Sequence, residues 1–315
     1  MSLTTAAVKA KAKALGADLV GIARGDVLDR HPPDPARPQT PSRITPDDSK
    51  SVVILARKLL TGLNRLRSHD DRHKQYSTEL VLTDLEEIEL KLVYFLEDAG
   101  FPSITVPPVH FDPRHYDPKG DTRGPLSLAH AAVEAGLGTL GLNLQLLTPE
   151  YGPRVVLTAV LCSVEVECDN RQEQALCLGP SCARCLKVCP GDAVGHWSRD
   201  WEACDPHRSP HGFPQLSDHV ARIIAAPTPE AQKELVRSED SFNLWQSILR
   251  GAGVITGCRR CADVCPVGTD YEPMLKDALD AIPENTPQKE ARLAAMVEPS
   301  EPYQRQIHWI GRRIK

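Results

Sequence analysis

The chain has 315 residues, a net charge of −5 and no long basic run. That length can hold two domains and a sizeable core. No apolar stretch is long enough to cross a bilayer, and the charge balance argues against nucleic acid as a partner, since phosphate binding draws on clustered Lys and Arg. The N-terminal MSLTTAAVKAKAKALG has no apolar core and no twin arginine, so a cytoplasmic protein is expected, with its ten cysteines as reduced thiols or metal thiolates.

Residues 4–15 read as a helix, with Ala7, Val8, Ala12 and Leu15 on one face and Gly16 as the stop. Residues 17–23 and 51–56 are short apolar runs that read as buried strands. Between them, residues 26–48 carry six prolines and read as loop. Residues 59–73 are polar and basic, a loop or a helix. Residues 76–99 show the clearest helical stripe, through Leu82, Leu85, Ile88, Leu92 and Phe95, ending at Gly100. A strand is expected at 103–106, an irregular loop at 107–123 and a helix at 126–135. Residues 136–143 (GLGTLGLN) form a glycine-punctuated loop. The β-run at 154–164 closes a first domain spanning 1–164.

A second domain is expected over 165–271. It opens on CLGPSCARCLKVCP, in which Cys182, Cys185 and Cys189 give C-x2-C-x3-C-P. The pattern returns at Cys258, Cys261 and Cys265. Doubled, it is the signature of a two-cluster [4Fe–4S] ferredoxin-like module, in which the Cys-Pro cysteine of one run ligates the other run's cluster. Cys182 and Cys185 would then share a cluster with Cys265, and Cys258 and Cys261 with Cys189. Cys177 lies just upstream of the first run and is assigned to the first cluster, with Cys168 as the spare. Cys204 lies between the runs and is assigned to the second. Zinc is the rival for paired C-x2-C, but it does not require the C-x3-C-P extensions. A helical insertion at about 201–257 interrupts the module, with helices at 229–236 and 241–249. The tail, 272–315, is expected to dock on the core, with one helix near 288–296 and a basic, aromatic end holding Trp309, Arg312 and Arg313.

Stretches outside the cysteines resemble one superfamily. ALGADLVGIA (14–23) is similar to the start of the catalytic domain in cobalamin-dependent iron–sulfur reductases, which join epoxyqueuosine reductases and reductive dehalogenases. AGLGTLGLNLQLLTPEYGPRVVL (135–157) resembles their AGLG-x-x-G-[KR]-N and TPEYGPRVR stretches, and TPEYGPR looks closer to the dehalogenase branch. Tyr76, the long helix and AGF (99–101) resemble the dehalogenase Tyr, helix, LGY pattern. The order of the eight cysteines fits too, so the resemblance runs over about residues 4–271.

The resemblance implies an α+β fold: a nitroreductase-like core holding base-off cobalamin, packed against the two-[4Fe–4S] domain. It implies a reductase, and the dehalogenase branch implies a small organohalide substrate. Electrons would come from an external ferredoxin, flavodoxin or reductase through both clusters to cobalt. By position, Tyr76 or Asp121 would donate a proton, with Thr122 and Arg123 as rivals to Asp121. Arg154 would bind cobalamin or a substrate anion. Gly136, Gly138 and Gly141, with Asn143 and Arg123, would contact the corrin or its nucleotide tail, although a plain turn explains the glycines equally well. Epoxyqueuosine reduction in tRNA, and a non-enzymatic electron carrier or corrinoid binder, are the rival functions.

The chain also departs from the pattern. Leu142 stands where the superfamily has Lys or Arg, and Val156 where the dehalogenases have a second Arg. Gly179 replaces a cysteine of the first run. A leaving halide needs a positive group beside it, so these losses count against dehalogenation. His110, Asp112, His115 and Asp117 form a weaker cluster in a proline-rich loop, at a spacing that fits no standard metal site. Cys162 reads as a buried small hydrophobe, and His207, His211 and His219 as surface residues or as neighbours of the metal ligands.

Overall fold

The computed structural model describes residues 3–65, 71–108, 112, 114, 123–250, 258–269, 271, 275 and 286–295. Helix α1 (Thr5–Leu15) starts where the Thr4 hydroxyl accepts the Ala7 N–H, and it stops at Gly16, whose φ of 119° suits a residue without Cβ. Strand β1 (Leu19–Arg24) follows, then a short helix α2 (Gly25–Arg30), then a 3-10 turn (Pro41–Arg43) and strand β2 (Ser51–Lys58). The sequence signals neither α2 nor the 3-10 turn. Six residues are too few for a period, and the proline-rich surroundings read as loop. The core decides it, because Leu28 of α2 is fully buried and Asp29 accepts the Ser42 N–H at 2.9 Å.

Helix α3 (Asp71–Asp98) begins before the expected residue 76. Strand β3 (Ser103–Val106), helix α4 (Leu128–Glu134), the short pair β4 (Thr139–Leu140) and β5 (Leu146–Leu147), and strand β6 (Val155–Cys162) complete the first half. The main sheet has the order β1-β2-β6-β3 and is antiparallel throughout. It is covered on both faces, which is why β2 and β6 read as unbroken apolar runs rather than alternating ones. Val53, Leu55 and Val160 pack with Val8, Ala12, Leu85 and Leu92 of α1 and α3. Val52, Ile54 and Leu161 point the other way, against Leu28, Ala131 and Val133 of α2 and α4.

One polar group sits inside this core. Glu89 of α3 is 2% exposed; its Oε1 accepts the Val106 N–H at 2.7 Å. Its Oε2 lies 2.7 Å from the Thr158 hydroxyl, which is also 2.8 Å from the Val106 carbonyl. One hydroxyl proton cannot serve both acceptors, so a protonated Glu89 that donates to Thr158 satisfies the whole group. Burial pushes this carboxyl up to about 7, against the opposing hydrogen bonds from Thr158 and Val106. An unfolded glutamate titrates near 4.5. Across that interval the native state holds a proton the unfolded state has lost, so stability falls as pH rises, by about 3 kcal/mol in all. Glu89→Gln is expected to flatten that slope. Urea unfolding at about pH 5 and about pH 8 checks it, and equal pH dependence in both proteins would clear Glu89 of the effect.

The second half is built from short elements. They are α5 (Arg184–Lys187), β7 (Val194–Gly195), β8 (Ser198–Arg199), and the helices α6 (Trp201–Arg208), α7 (Phe213–Ala225), α8 (Pro229–Val236) and α9 (Glu239–Arg250). Then come α10 (Arg260–Asp263) and α11 (Pro287–Ala295). Helices α8 and α9 lie where the sequence puts helices. Helices α6 and α7 were not marked out in the sequence. Helix α6 accommodates Pro206, and the Asp200 side chain caps its start by accepting the Ala203 N–H. No described helix is long and apolar enough to cross a membrane.

Candidate metal centre

The two cysteine runs fold alike. In each, one helical turn, α5 or α10, carries the second cysteine and brings it beside the first. The turn ends before the third, at Lys187 or Asp263, which frees that thiol from the face shared by the other two. Eight cysteines thereby line two hollows. Cys177, Cys182, Cys185 and Cys265 line one. Cys189, Cys204, Cys258 and Cys261 line the other. The grouping is crossed, since each Cys-Pro cysteine sits with the pair from the other run. Cys168 lines neither hollow, and its thiol donates to the Val166 carbonyl at 3.4 Å. Cys162 is fully buried in β6 beside the Ser103 hydroxyl at 3.2 Å.

Burial pushes the Cys265 thiol up to about 11 and Cys185 well above the usual range. Cys177, Cys204 and Cys261 are raised for the same reason. Backbone N–H groups of Gly179 and Leu142 oppose the rise at Cys177, and that of Val267 opposes it at Cys265. The Ala193 N–H donates to the Cys189 sulfur at 3.2 Å. These N–H groups suit thiolates, and metal uptake would release the protons. Among the described residues no three His, Cys, Asp or Glu side chains converge as a site for a single ion. The cysteines instead ring two open spaces, and an all-thiolate ring around a hollow fits a multi-iron cluster.

Basic side chains clamp this framework. Arg154, 1% exposed, donates from Nη2 to the carbonyls of Asp263 at 3.0 Å and Cys265 at 2.5 Å, and from Nη1 to Val267 at 3.1 Å. Its guanidinium stacks 4.0 Å from the Tyr271 ring. The Lys289 ammonium of α11 does the matching job on the first run, donating to the Cys189 carbonyl at 2.5 Å and the Lys187 carbonyl at 3.1 Å. Lys74 of α3 pairs with Asp263, and Arg259 donates to the Thr78 hydroxyl at 3.0 Å. The polar first turns of α3 are thus spent on holding α10. Sequence reasoning passed over Lys74, Lys289, Arg259 and Asp263. The visible signal was the charge inside CRRCADVC, read there as spacer.

The expected site residues fall into three groups. Asp121 lies outside the described residues, as do Thr122, His110, His115, Tyr116, Asp117, Trp309, Arg312 and Arg313. Tyr76 is 48% exposed in an early turn of α3. The rest are engaged by the chain itself. Arg154 is corrected from an anion contact to a backbone clamp, because its guanidinium is buried against three carbonyls. Asn143 donates to Gln145 at 2.9 Å and to the Cys261 carbonyl at 3.2 Å. Arg123 pairs with Asp34 at 2.9 Å.

Of the glycines, Gly136 has a φ of 72°, and a Cβ there would meet the Asn170 carbonyl at 2.3 Å. At Gly138 it would meet the Leu147 carbonyl at 1.9 Å, and at Gly141 the Asn143 side chain at 2.9 Å. Their bareness serves packing within the chain. Arg154 and Asn143 spend their donors within the chain, and these glycines pack against its backbone and side chains. Asp112 is buried and pairs with Arg114 at 2.5 Å. His219 is buried too, 2.7 Å from the Ser241 hydroxyl, so it is not a surface residue.

No family model matches the chain. Curated proteins similar to it are epoxyqueuosine reductases. That of Gloeobacter violaceus is 29% identical over 289 residues, 84% of this chain and 76% of that protein. That of Synechocystis sp. is 27% identical over 143 residues, 45% of this chain and 40% of that protein, so this match spans less than half of either. Among solved structures, epoxyqueuosine reductase from Bacillus subtilis matches with a TM-score of 0.50 at 18% identity, covering 97% of this chain and 77% of that one. A catabolic reductive dehalogenase matches with a TM-score of 0.50 at 16% identity, covering 82% and 37%. These structural likenesses show a shared mixed α/β fold.

Two expectations are corrected. The curated relatives are epoxyqueuosine reductases, so the dehalogenase branch is not the nearer one. The argument from net charge against nucleic acid also fails. Those relatives are epoxyqueuosine reductases, the branch whose reaction takes place in tRNA. Net charge is a sum over the whole surface and cannot exclude a local RNA-binding face. The sequence likeness supports a place in the superfamily of cobalamin and iron–sulfur reductases, on the side of the epoxyqueuosine reductases.

Proposed function

We propose that this chain is an iron–sulfur and cobalamin reductase of the epoxyqueuosine-reductase type, removing an epoxide oxygen from a modified tRNA nucleoside. The observation that carries the redox part is the division of eight cysteines, four and four, around two hollows. Removing an epoxide oxygen as water takes two electrons and two protons. Two [4Fe–4S] clusters, each storing one electron, match that demand. The choice of substrate rests on the sequence likeness to the curated reductases.

In this reading the nitroreductase-like first domain receives cobalamin, and the second half is the ferredoxin-like module. The first hollow takes four lining residues from the first domain, Gly141, Leu142, Asn143 and Leu147, and the second takes one, Gln145, so the first cluster is the inner one. The second is walled by Cys204, His207 and Arg208 of α6, so electrons from an external donor enter there. Lys74, Arg154 and Arg259 hold α10 in register between the two. Cobalamin, when bound, supplies a strongly reducing, nucleophilic cobalt. Tyr76 and Asp121 stand as the proton donors, and no corrin contact is assigned to Arg154, Asn143 or the glycines. Dehalogenation of a small organohalide is disfavoured. Leu142 is buried with Leu186, Ala193 and Trp197, and Val156 packs against the core, so neither place offers a halide a cation.

The test is iron and cobalt content after anaerobic purification, followed by turnover of an epoxyqueuosine-containing tRNA stem loop and of a bromophenol with a strong one-electron reductant. Turnover of the stem loop alone is expected. A chain without iron, or one that debrominates and leaves the stem loop untouched, would overturn the proposal.

A further inference from the structure

The two hollows differ in their walls, and the difference is one of charge. The first is bounded mainly by backbone and apolar side chains, with Arg184 the charged residue on its wall and Arg154 the one cation held behind Cys265. The second is lined by Arg199, Arg208, Arg259 and Arg260. We propose that these four arginines give the cluster held by Cys189, Cys204, Cys258 and Cys261 the higher midpoint potential of the two, so that it takes the first electron from a one-electron donor. The inference rests on the iron–sulfur reading above.

The physical ground is the charge of the group that would sit there. A four-iron cluster with four thiolates is a dianion when oxidised and a trianion when reduced. A nearby fixed cation therefore stabilises the reduced form more, and raises the potential. Arg199 Nη2 lies 4.0 Å from the Cys261 sulfur and donates to the Asn143 carbonyl at 2.5 Å, so it is fixed in place. Arg199 and Arg208 also stack on Trp201, at 4.9 Å and 5.1 Å from the ring centre. Arg259 is 6% exposed, so water screens it little.

Two carboxylates oppose them. Asp205 pairs with Arg208 at 2.7 Å, and Asp263 is shared between Arg259, at 3.8 Å, and Lys74. The cations keep the majority. An outer cluster that fills first and an inner one that fills last would hold one electron in reserve while the second is delivered at lower potential to the first domain.

The experiment is an anaerobic reductive titration of the full, iron-loaded chain, followed by electron paramagnetic resonance. Two midpoints are expected. Arg199→Gln should lower the upper one and leave the lower in place. Asp205→Asn should raise the upper one, and Arg199→Lys should keep the wild-type value. Shifts of opposite sign are something a merely structural role would not produce. The inference is overturned if the upper midpoint ignores all three changes, or if both charge-changing variants move it the same way. It is overturned too if Arg184→Gln moves the upper midpoint, which would put the higher potential in the first hollow. If Arg199→Gln loses iron while Arg199→Lys keeps it, the sign of the Asp205→Asn shift decides. Wild-type chain without iron would sink the iron–sulfur reading itself, a result distinct from these.

Discussion

Cys265→Ala is expected to empty the first hollow and spare the second, although its nearest cysteines in the chain, Cys258 and Cys261, line the second. Iron should fall by about half, one cluster of two. The remaining signal should match that of Cys182→Ala and Cys185→Ala. Cys189→Ala should give the complementary loss, together with Cys258→Ala and Cys261→Ala. The reason is local geometry. Each helical turn holds two thiols on one side and ends before the third, and Arg154 or Lys289 then fixes the carbonyl of that third cysteine. Iron per chain and the spectrum of the reduced protein measure the outcome. If Cys265→Ala instead grouped with Cys258→Ala, the crossed arrangement would be refuted and the relay built on it would go too.

Arg154→Met should cost about 1–3 kcal/mol of stability, the range for leaving buried carbonyls short of their donor. The arginine reaches the carbonyls of Asp263, Cys265 and Val267 from one planar group, and joins β6 to the second cysteine run. Without it those carbonyls are left buried and short of donors. Arg154→Lys should recover little, because an ammonium on a flexible stem cannot meet three carbonyls in that fork geometry. Gly152 beside it has no room to adjust, since a Cβ there would lie 1.9 Å from the Val267 carbonyl. Denaturant unfolding of the iron-loaded protein checks the magnitude. An unchanged midpoint in Arg154→Met would show that the clamp carries no stability.

Arg154 also illustrates what sequence reading misses. Its motif, TPEYGPR, resembles a superfamily stretch and suggested an anion contact. The side chain turns inward because Cys265, 111 residues later, presents its carbonyl to it, as do Asp263 and Val267. Lys74 and Asp263 meet across 189 residues, and no local pattern announces that pairing. Helices α6 and α7 fall inside the stretch read as a helical insertion, but their bounds were not marked out in the sequence. The argument from net charge failed for another reason, since a sum cannot locate a patch.

What the sequence determined by itself is what depends on near neighbours. Spacing of two and three residues set which thiols could stand together. Apolar runs set β2 and β6, and a long stripe set α3, because burial rewards those periods wherever the chain goes. Only the tertiary structure decided that the second hollow is walled by arginines and that Arg154 binds backbone. Those depend on contacts between residues far apart in the chain, whose energy exists only once the sheet and the short helices have brought them within reach.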